Sequence, residues 1–317
     1  MQQNIWDTVI AGGGPAGLSA ALMLGRSRRR VLVVDAGSPR NRFAEHMHGV
    51  LGQEGAHPGA LIARARGEVA DYGVELRRGA VERVERAARE ADGLRIATAD
   101  GDVLRARTLI VATGLSDELP DIPGLAERWG TSVLHCPFCH GWEVRDRRLG
   151  VLATTPLALH QAELIRQLSD RVTVFTGLLG ALDPGIARRL HARGVELEPE
   201  PVAEVLGTGS DVSAVRLRNG REVGVEAIFT AGAPRPHDGF LAPLGLERSE
   251  TPFGSFLAVD PTGRTSEERI WAVGNAVNPG ANVPMSIGAG AMTGAAAAGA
   301  LAGWDFDAAV RQDVEQP

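Results

Sequence analysis

Residues 6–35 read WDTVIAGGGPAGLSAALMLGRSRRRVLVVD, and this stretch decides the fold. Trp6 to Ala11 is a short apolar run of strand character that enters Gly12-Gly13-Gly14-Pro15-Ala16-Gly17 directly. The Ala/Leu-rich LSAALMLGR that follows predicts a helix. A second apolar run, VLVVD, ends on Asp35, about eighteen residues past the last glycine. Strand, glycine turn, helix, strand and acid together make the dinucleotide-binding fingerprint. Gly12 permits the tight turn, Gly14 lets the backbone approach a pyrophosphate, and Gly17 lets the helix pack on the sheet. The helix N-terminus offers unpaired amides to phosphates. Asp35 is placed to accept hydrogen bonds from a ribose diol; a glycine turn without a ligand would have no use for that acid.

Beyond this unit, PRNRFAEHMHGVLGQEG reads as a polar loop, and PGALIARARGEVADYG as a helix beginning near Pro58. Arg40, Asn41 and His48 are read as flavin-side or substrate-side loop residues, with a plain solvated loop as the competing reading. His46, His48 and His57 lack the helical carboxylate-and-histidine spacing of a metal site, and no metal is expected. From Val74 to Ala112 short alternating runs suggest a small antiparallel insert that returns to the parallel sheet at Leu109 to Ala112. Ala112-Thr113-Gly114 is a turn, and LSDELPDIPG reads as a linker out of the first domain.

The only two cysteines stand in His135-Cys136-Pro137-Phe138-Cys139-His140. A Cys-x-x-Cys pair closes a small disulfide loop and can cycle between dithiol and disulfide without moving the fold. A helix N-terminus or an imidazolium beside the first sulfur would lower its pKa, and a histidine flanks each cysteine. Three blander readings compete. The cysteines could be small core residues. They could belong to a structural zinc site, although the two adjacent histidines are too cramped to complete a tetrahedron. They could form a static disulfide, although so short a loop removes little unfolded-chain entropy. The redox pair is the favoured reading.

RLGVLATTPLALHQAELIRQLSDRVTVFTG repeats the strand, turn, helix, strand outline. Its turn carries Ala153, Thr154 and Thr155 where glycines should stand, and only Ala158 suits close helix packing. A Cβ at such positions blocks both the positive-φ turn and the approach of a pyrophosphate. No arginine follows the second strand to take a 2′-phosphate. The central segment is therefore read as a nucleotide-binding scaffold that has lost its ligand. The chain closes with RIWAVGNAVNPG, a strand ending at Gly274-Asn275. The Gly/Ala-rich GANVPMSIGAGAMTGAAAAGAL then forms a helix able to lie close to a cofactor or a partner helix, or simply to pack in the core.

Composition narrows the classes. A chain of 317 residues with 44% hydrophobic and 23% charged residues suits two globular domains. Its net charge of −6 argues against a nucleic-acid partner. All 33 cationic residues are arginine, which excludes a Walker-type phosphate lysine and a Schiff-base lysine. No run of eighteen consecutive apolar residues indicates a membrane span. No secretory signal opens the sequence, so a cytoplasmic location is expected. There a cysteine pair is more often catalytic than structural.

With GGGPAG, Asp35, ATG, a Cys-x-x-Cys in a central insert and AVGN near the end, the sequence resembles the low-molecular-weight thioredoxin reductases over nearly its whole length. That resemblance implies an α/β fold of two Rossmann-like domains. Residues 1–118 and 246–317 would form a discontinuous FAD domain, and residues 119–245 a central, degenerate NADPH-binding domain carrying the cysteines. The glycine-rich NADPH motif is gone, the acid after the second cysteine is His140, and the usual Gly-Asp is Gly274-Asn275. With these departures HCPFCHGWEVRD is similar to the dithiol oxidases of fungal gliotoxin and bacterial holomycin biosynthesis. The resemblance implies FAD held by Gly12, Gly14, Pro15, Ala16, Gly17, Asp35, Ala36, Arg40, Asn41, His48, Val81, Ala112, Thr113, Gly114, Gly274, Asn275, Ser286 and Ile287. It implies a small-molecule dithiol oxidised to an intramolecular disulfide, O₂ as acceptor giving H₂O₂, and a homodimer. Cys136 would meet the substrate, Cys139 would be the sulfur nearer the flavin, His140 would take the proton, and His135 is a second candidate base. Two alternatives stay open: a disulfide reductase driven by NADPH or ferredoxin, and a flavin-binding redox sensor without turnover.

Overall fold

A computed structural model describes residues 5–88 and 93–314. The connection between the two middle strands of the antiparallel insert, residues 89–92, and the chain ends, including the start of the segment read for a secretory signal, lie outside the described residues. The helices are α1 (Pro15–Arg26), α2 (Pro58–Asp71), α3 (Pro137–His140), α4 (Leu157–Ile165), α5 (Pro184–His191) and α6 (Val283–Val314). The first strands are β1 (Trp6–Ala11), β2 (Val31–Asp35), β3 (Glu75–Arg78), β4 (Val81–Arg86), β5 (Leu94–Thr98) and β6 (Val103–Val111). The chain divides into two compact units. One comprises the segments ending at Arg40, Pro58–Ser116 and Pro234 onward; the other comprises Asn41–His57 and Asp117–Ala233.

In the first unit β3, β2, β1 and β6 lie parallel, with Val9 facing Leu32 on one side and Leu109 on the other. The nine-residue β6 has two jobs. Its second half lies between β1 and the strand Ile270–Ala272, while its first half pairs antiparallel with β5, which pairs with β4. Successive strand residues point to opposite faces, so both faces must be covered. Ile10, Val31, Val33 and Ile110 meet α1 and α6. Val9, Ala11, Leu32, Val34, Leu109 and Val111 meet the apolar residues of β4 and β5, together with Leu241 and Leu244. Burial of those two leucines explains why residues 234–245, expected in the central domain, belong to the first unit.

Helix α6 is long and apolar enough to cross a membrane, a test that the core helix of a folded domain also passes. Here it packs on α1 with almost no side chains between them. A Cβ on Gly290 would lie 2.2 Å from the Ala16 carbonyl oxygen, and one on Gly294 2.5 Å from that of Ala20. Ser19 donates from Oγ to the Ile287 carbonyl at 2.7 Å and pins the two helices in register.

The second unit holds a parallel five-stranded sheet in the order Glu196–Glu198, Val172–Phe175, Leu149–Leu152, Ala227–Thr230, Val133–Leu134. Leu149 and Val151 bury one face against Ala158, Leu159, Ala162 and Ile165 of α4. Leu152, Phe175 and Ile228 bury the other against Val202, Val205 and Val215 of a small antiparallel sheet. Residues 41–57 also belong here: a Cβ on Gly130 would meet Phe43 at 2.6 Å, and His48 pairs with Glu143.

Candidate active site

The glycine turn after β1 behaves as three separate devices. Gly12 has φ +105, and a Cβ there would sit 2.3 Å from the Ala112 carbonyl oxygen, so only glycine fits. A Cβ on Gly17 would lie 1.9 Å from the Gly12 carbonyl oxygen, so α1 sits directly on the turn. Gly14, the N-cap of α1 at φ −78 and ψ −175, has nothing within 4 Å of its Cβ position. The fold itself makes no demand for glycine at 14; open space over a bare backbone is what an approaching pyrophosphate needs. Pro15 occupies the first helical turn, where its missing N–H costs nothing. The α1 ladder begins with Leu18 N donating to Gly14 O at 3.0 Å, so the amides of Ala16 and Gly17 lie ahead of it, toward the opening.

Around this cradle the first unit assembles most of the residues expected there. Gly274 takes φ +70, and its Cβ position lies 2.9 Å from Ala16 Cβ and 3.9 Å from Ser286 Oγ, so the closing segment meets the start of α1. Thr113 Oγ1 donates to the His237 carbonyl at 2.7 Å, and His237 N returns a bond to Gly114 O at 3.0 Å, holding the 112–114 turn. Asp35 accepts from Gly37 N at 3.1 Å through Oδ1 and from Arg66 through Oδ2. Asn275 turns its amide onto its own loop, donating to the carbonyls of Asn278 and Ala281 at 2.9 Å each. Arg40 donates to the Pro279 carbonyl at 2.8 Å and braces the same loop. Val81 is half-buried at the start of β4, and Ala36 is exposed. Arg66, which holds the Asp35 carboxylate, carried no signal in the sequence.

In the second unit Cys136 and Cys139 form a disulfide with Cα atoms 5.2 Å apart. Cys136 is the N-cap of the single-turn helix α3, started by Pro137, and the Cys139 and His140 amides donate to the Cys136 carbonyl at 3.1 and 3.2 Å. Gly141 must be small: a Cβ there would meet Leu168 at 2.3 Å. Both cysteines are half-buried, while Phe138 between them and Trp142 beyond them are 75% and 66% exposed. Gln161 of α4 donates to the His135 carbonyl at 2.5 Å, and the His135 ring stands edge-on to Trp129 with centroids 6.4 Å apart. Burial holds His140 below the ordinary histidine value of 6.5; Glu143 pulls it upward and His48 pushes it further down. His48, set by its loop, joins Glu54 through Nδ1 at 2.7 Å and Glu143 through Nε2 at 3.5 Å. Of the three loop residues read as flavin-side or substrate-side, Arg40 falls in the first unit and Asn41 and His48 in the second, where His48 meets Glu143 of the redox motif.

The second nucleotide turn is closed by protein atoms. Ala153 is fully buried, and Thr154 Oγ1 donates to the Ala231 carbonyl at 3.0 Å. The amides of Ala158 and Leu159, where a phosphate would dock, already donate to Thr155 O and Pro156 O at 3.0 and 3.1 Å. Among the described residues, no group of three or more metal-ligating side chains comes together.

Residues 6–294 match the pyridine nucleotide-disulphide oxidoreductase family. The chain belongs to that family. It is 35% identical over 306 residues to thioredoxin reductase tcpT of Claviceps purpurea, covering 92% of each chain. It is 31% identical to thioredoxin reductase sirT of Leptosphaeria maculans, covering 92% of this chain and 93% of the relative. The crystal structure of HlmI superposes with a TM-score of 0.93 at 41% identity, covering 99% of this chain and 98% of that one. These relatives bear out the recognition of a thioredoxin reductase-like enzyme and the α/β architecture expected with it. The protein is a flavin-dependent oxidoreductase acting at thiols and disulfides.

Proposed function

We propose that the protein oxidises the two thiols of a small molecule to an intramolecular disulfide and passes the electrons to O₂, giving H₂O₂. One observation carries this reading over that of an NADPH-driven reductase: the second nucleotide turn spends its helix-end amides on its own carbonyls and the Thr154 hydroxyl on that of Ala231. The residues of the first turn fit FAD, with Gly12 and Gly17 forced by backbone contact and Gly14 open. Gly14, Ala16 and Gly17 would hold the pyrophosphate, Asp35 the ribose, and the 112–114 turn and Ser286 the remainder. When bound, the flavin supplies the two-electron acceptor for the cysteine pair.

The chain's own residues perform the thiol chemistry. A substrate thiolate attacks Cys136, the S–S bond breaks, and Cys139 leaves as a thiolate at the C-terminal end of α3. The second substrate thiolate attacks the mixed disulfide at the substrate sulfur, releasing oxidised product and the Cys136–Cys139 dithiol. His140, held neutral by burial, accepts a proton from sulfur near neutral pH. An acid in its place would stay ionised and be a weaker base. His135 has its backbone fixed by Gln161 and its ring against Trp129, an arrangement that suits shaping the motif more than shuttling protons. Half-burial of the sulfurs beside exposed Phe138 and Trp142 suits a compact, partly apolar dithiol. A homodimer completes the reading, as the resemblance implies.

An oxygen-electrode assay with purified protein and small dithiols tests it. Steady oxygen uptake with peroxide formation is expected. Rapid anaerobic bleaching of the flavin by NADPH would overturn it in favour of a reductase.

A further inference from the structure

His140 is not alone in the second unit. His48, which comes from a loop far away in sequence, stands with Nε2 3.5 Å from Glu143 Oε1 and Nδ1 2.7 Å from Glu54 Oε1. Glu54 is itself fixed, because its other oxygen accepts the Gly49 amide at 2.9 Å. His48 is the buried member, 20% exposed, between Glu143 at 40% and Glu54, the most open of the three, at 66%. We infer that His48 is a positioning residue for the reaction at the cysteine pair. Seated between Glu143 and Glu54, it sets the charge that His140 meets and leads the proton taken from sulfur out to Glu54 at the surface.

Three observations support the assignment. Among the described residues, the charged groups that bear on His140 are Glu143, which favours a proton on it, and His48, which opposes one. The neighbouring elements bring no competitor: α4 offers Gln161 to His135, while its His160 points outward, 76% exposed and beside Glu163, which Arg189 holds. Arg145, the next cation along the motif, lies over the Trp142 ring at 4.0 Å. A histidine between two carboxylates can accept at one nitrogen and donate at the other, which is what a relay needs.

The inference rests on the dithiol-oxidase reading and balances within it. The S–H bond of a reduced cysteine breaks with its electron pair left on sulfur, and the proton lands on His140. The Glu143–His48 pair takes that proton on, Glu54 passes it to water, and His140 is neutral again. The second sulfur's proton leaves by the same route once His140 is neutral, and the two electrons pass from the dithiol to O₂, which takes two protons from solvent as it becomes H₂O₂.

The test uses the flavin-loaded full-length protein with dithiothreitol as substrate, following oxygen uptake across pH for wild type, His48→Gln, His48→Ala and Glu54→Gln. With the imidazole at 48 gone, a proton on His140 meets less opposition, so the acid limb should move up in pH. His48→Ala should lose about ten-fold in kcat with KM little changed, less than the loss of the base itself, and added imidazole should restore it. Glu54→Gln, altered at an exposed site, should slow turnover less but in the same pH-dependent manner. Superimposable pH profiles with no imidazole rescue, in variants that retain flavin and melt like wild type, would overturn the inference. The His140 ring titration by NMR in the oxidised protein separates the two readings. An upward shift in His48→Gln without oxygen uptake by wild type sinks the oxidase reading and keeps the coupling. Identical titration curves sink the coupling.

Discussion

Gly14→Ala separates a cradle built for a ligand from a turn that merely needs glycines. At φ −78 and ψ −175 alanine is sterically allowed, and its Cβ would have nothing within 4 Å. Two small effects on the fold oppose each other. Alanine restricts the unfolded chain, a gain of about 0.4–1 kcal/mol, and is a poorer N-cap than glycine, a loss of about 0.5–1 kcal/mol. Net stability should move by under about 1 kcal/mol, a melting shift of no more than about 2–4 °C for a chain this long. The ligand is another matter. A methyl over the backbone displaces a pyrophosphate from the amides at the start of α1. Losing two hydrogen bonds to a charged group costs about 3–6 kcal/mol, or roughly 10²–10⁴ in Kd. Gly17→Ala is the control, since its Cβ would sit 1.9 Å from the Gly12 carbonyl oxygen and the backbone itself must move. It should cost about 3 kcal/mol or more of fold stability. The assay is fluorescence titration of flavin-stripped protein with FAD, alongside thermal melts of the same samples. Native FAD affinity in Gly14→Ala would refute the reasoning about open space, and a melt as damaged as that of Gly17→Ala would refute the steric reading.

Cys139→Ser should abolish oxygen uptake with dithiols while flavin content and melting temperature stay near wild type, and uptake at wild-type rate would detach the activity from the pair. His140→Gln should lower kcat by about 10²–10⁴, the usual range for a general base, and the wild-type acid limb should fall below pH 6.5 because burial depresses His140. The same depression bears on stability: between the folded and ordinary pKa values the unfolded chain binds the extra proton, so stability rises with pH. His140's contribution should be complete above pH 6.5 and lost as pH falls through the folded value, and that loss should vanish from urea midpoints measured on His140→Gln. Anaerobic mixing with NADPH should leave the flavin oxidised over the time in which a dithiol reduces it; stopped-flow absorbance decides between them.

Much of this was legible in residue order because it is written in short-range sterics. Glycines 12 and 17 face carbonyl oxygens of their own turn and sheet, so the strand, turn and helix around them follow from backbone geometry. The same holds for the Ala153–Thr155 turn, where side chains stand in for glycine and the local amides close on local carbonyls. The cysteine pair was visible because three residues span one helical turn. Other features were legible in residue type but not in role. Asn275 stands at the expected place yet spends its amide on carbonyls of its own loop. His135 adjoins a sulfur yet packs against Trp129. Residues 234–245 follow the central segment but bury Leu241 and Leu244 in the first unit's core.

The sequence by itself determined the two nucleotide-type scaffolds, the glycine geometry of the first turn and the pairing of the two cysteines. Each depends on neighbours a few residues apart, whose geometry the backbone dictates. Only the tertiary structure decided which distant side chains meet: Arg66 on Asp35, Gly290 and Gly294 against α1, and His48 and Glu54 gathered to Glu143 beside His140. Those meetings depend on the path of the chain between them, and that path is set by how the sheets bury both faces rather than by any local pattern.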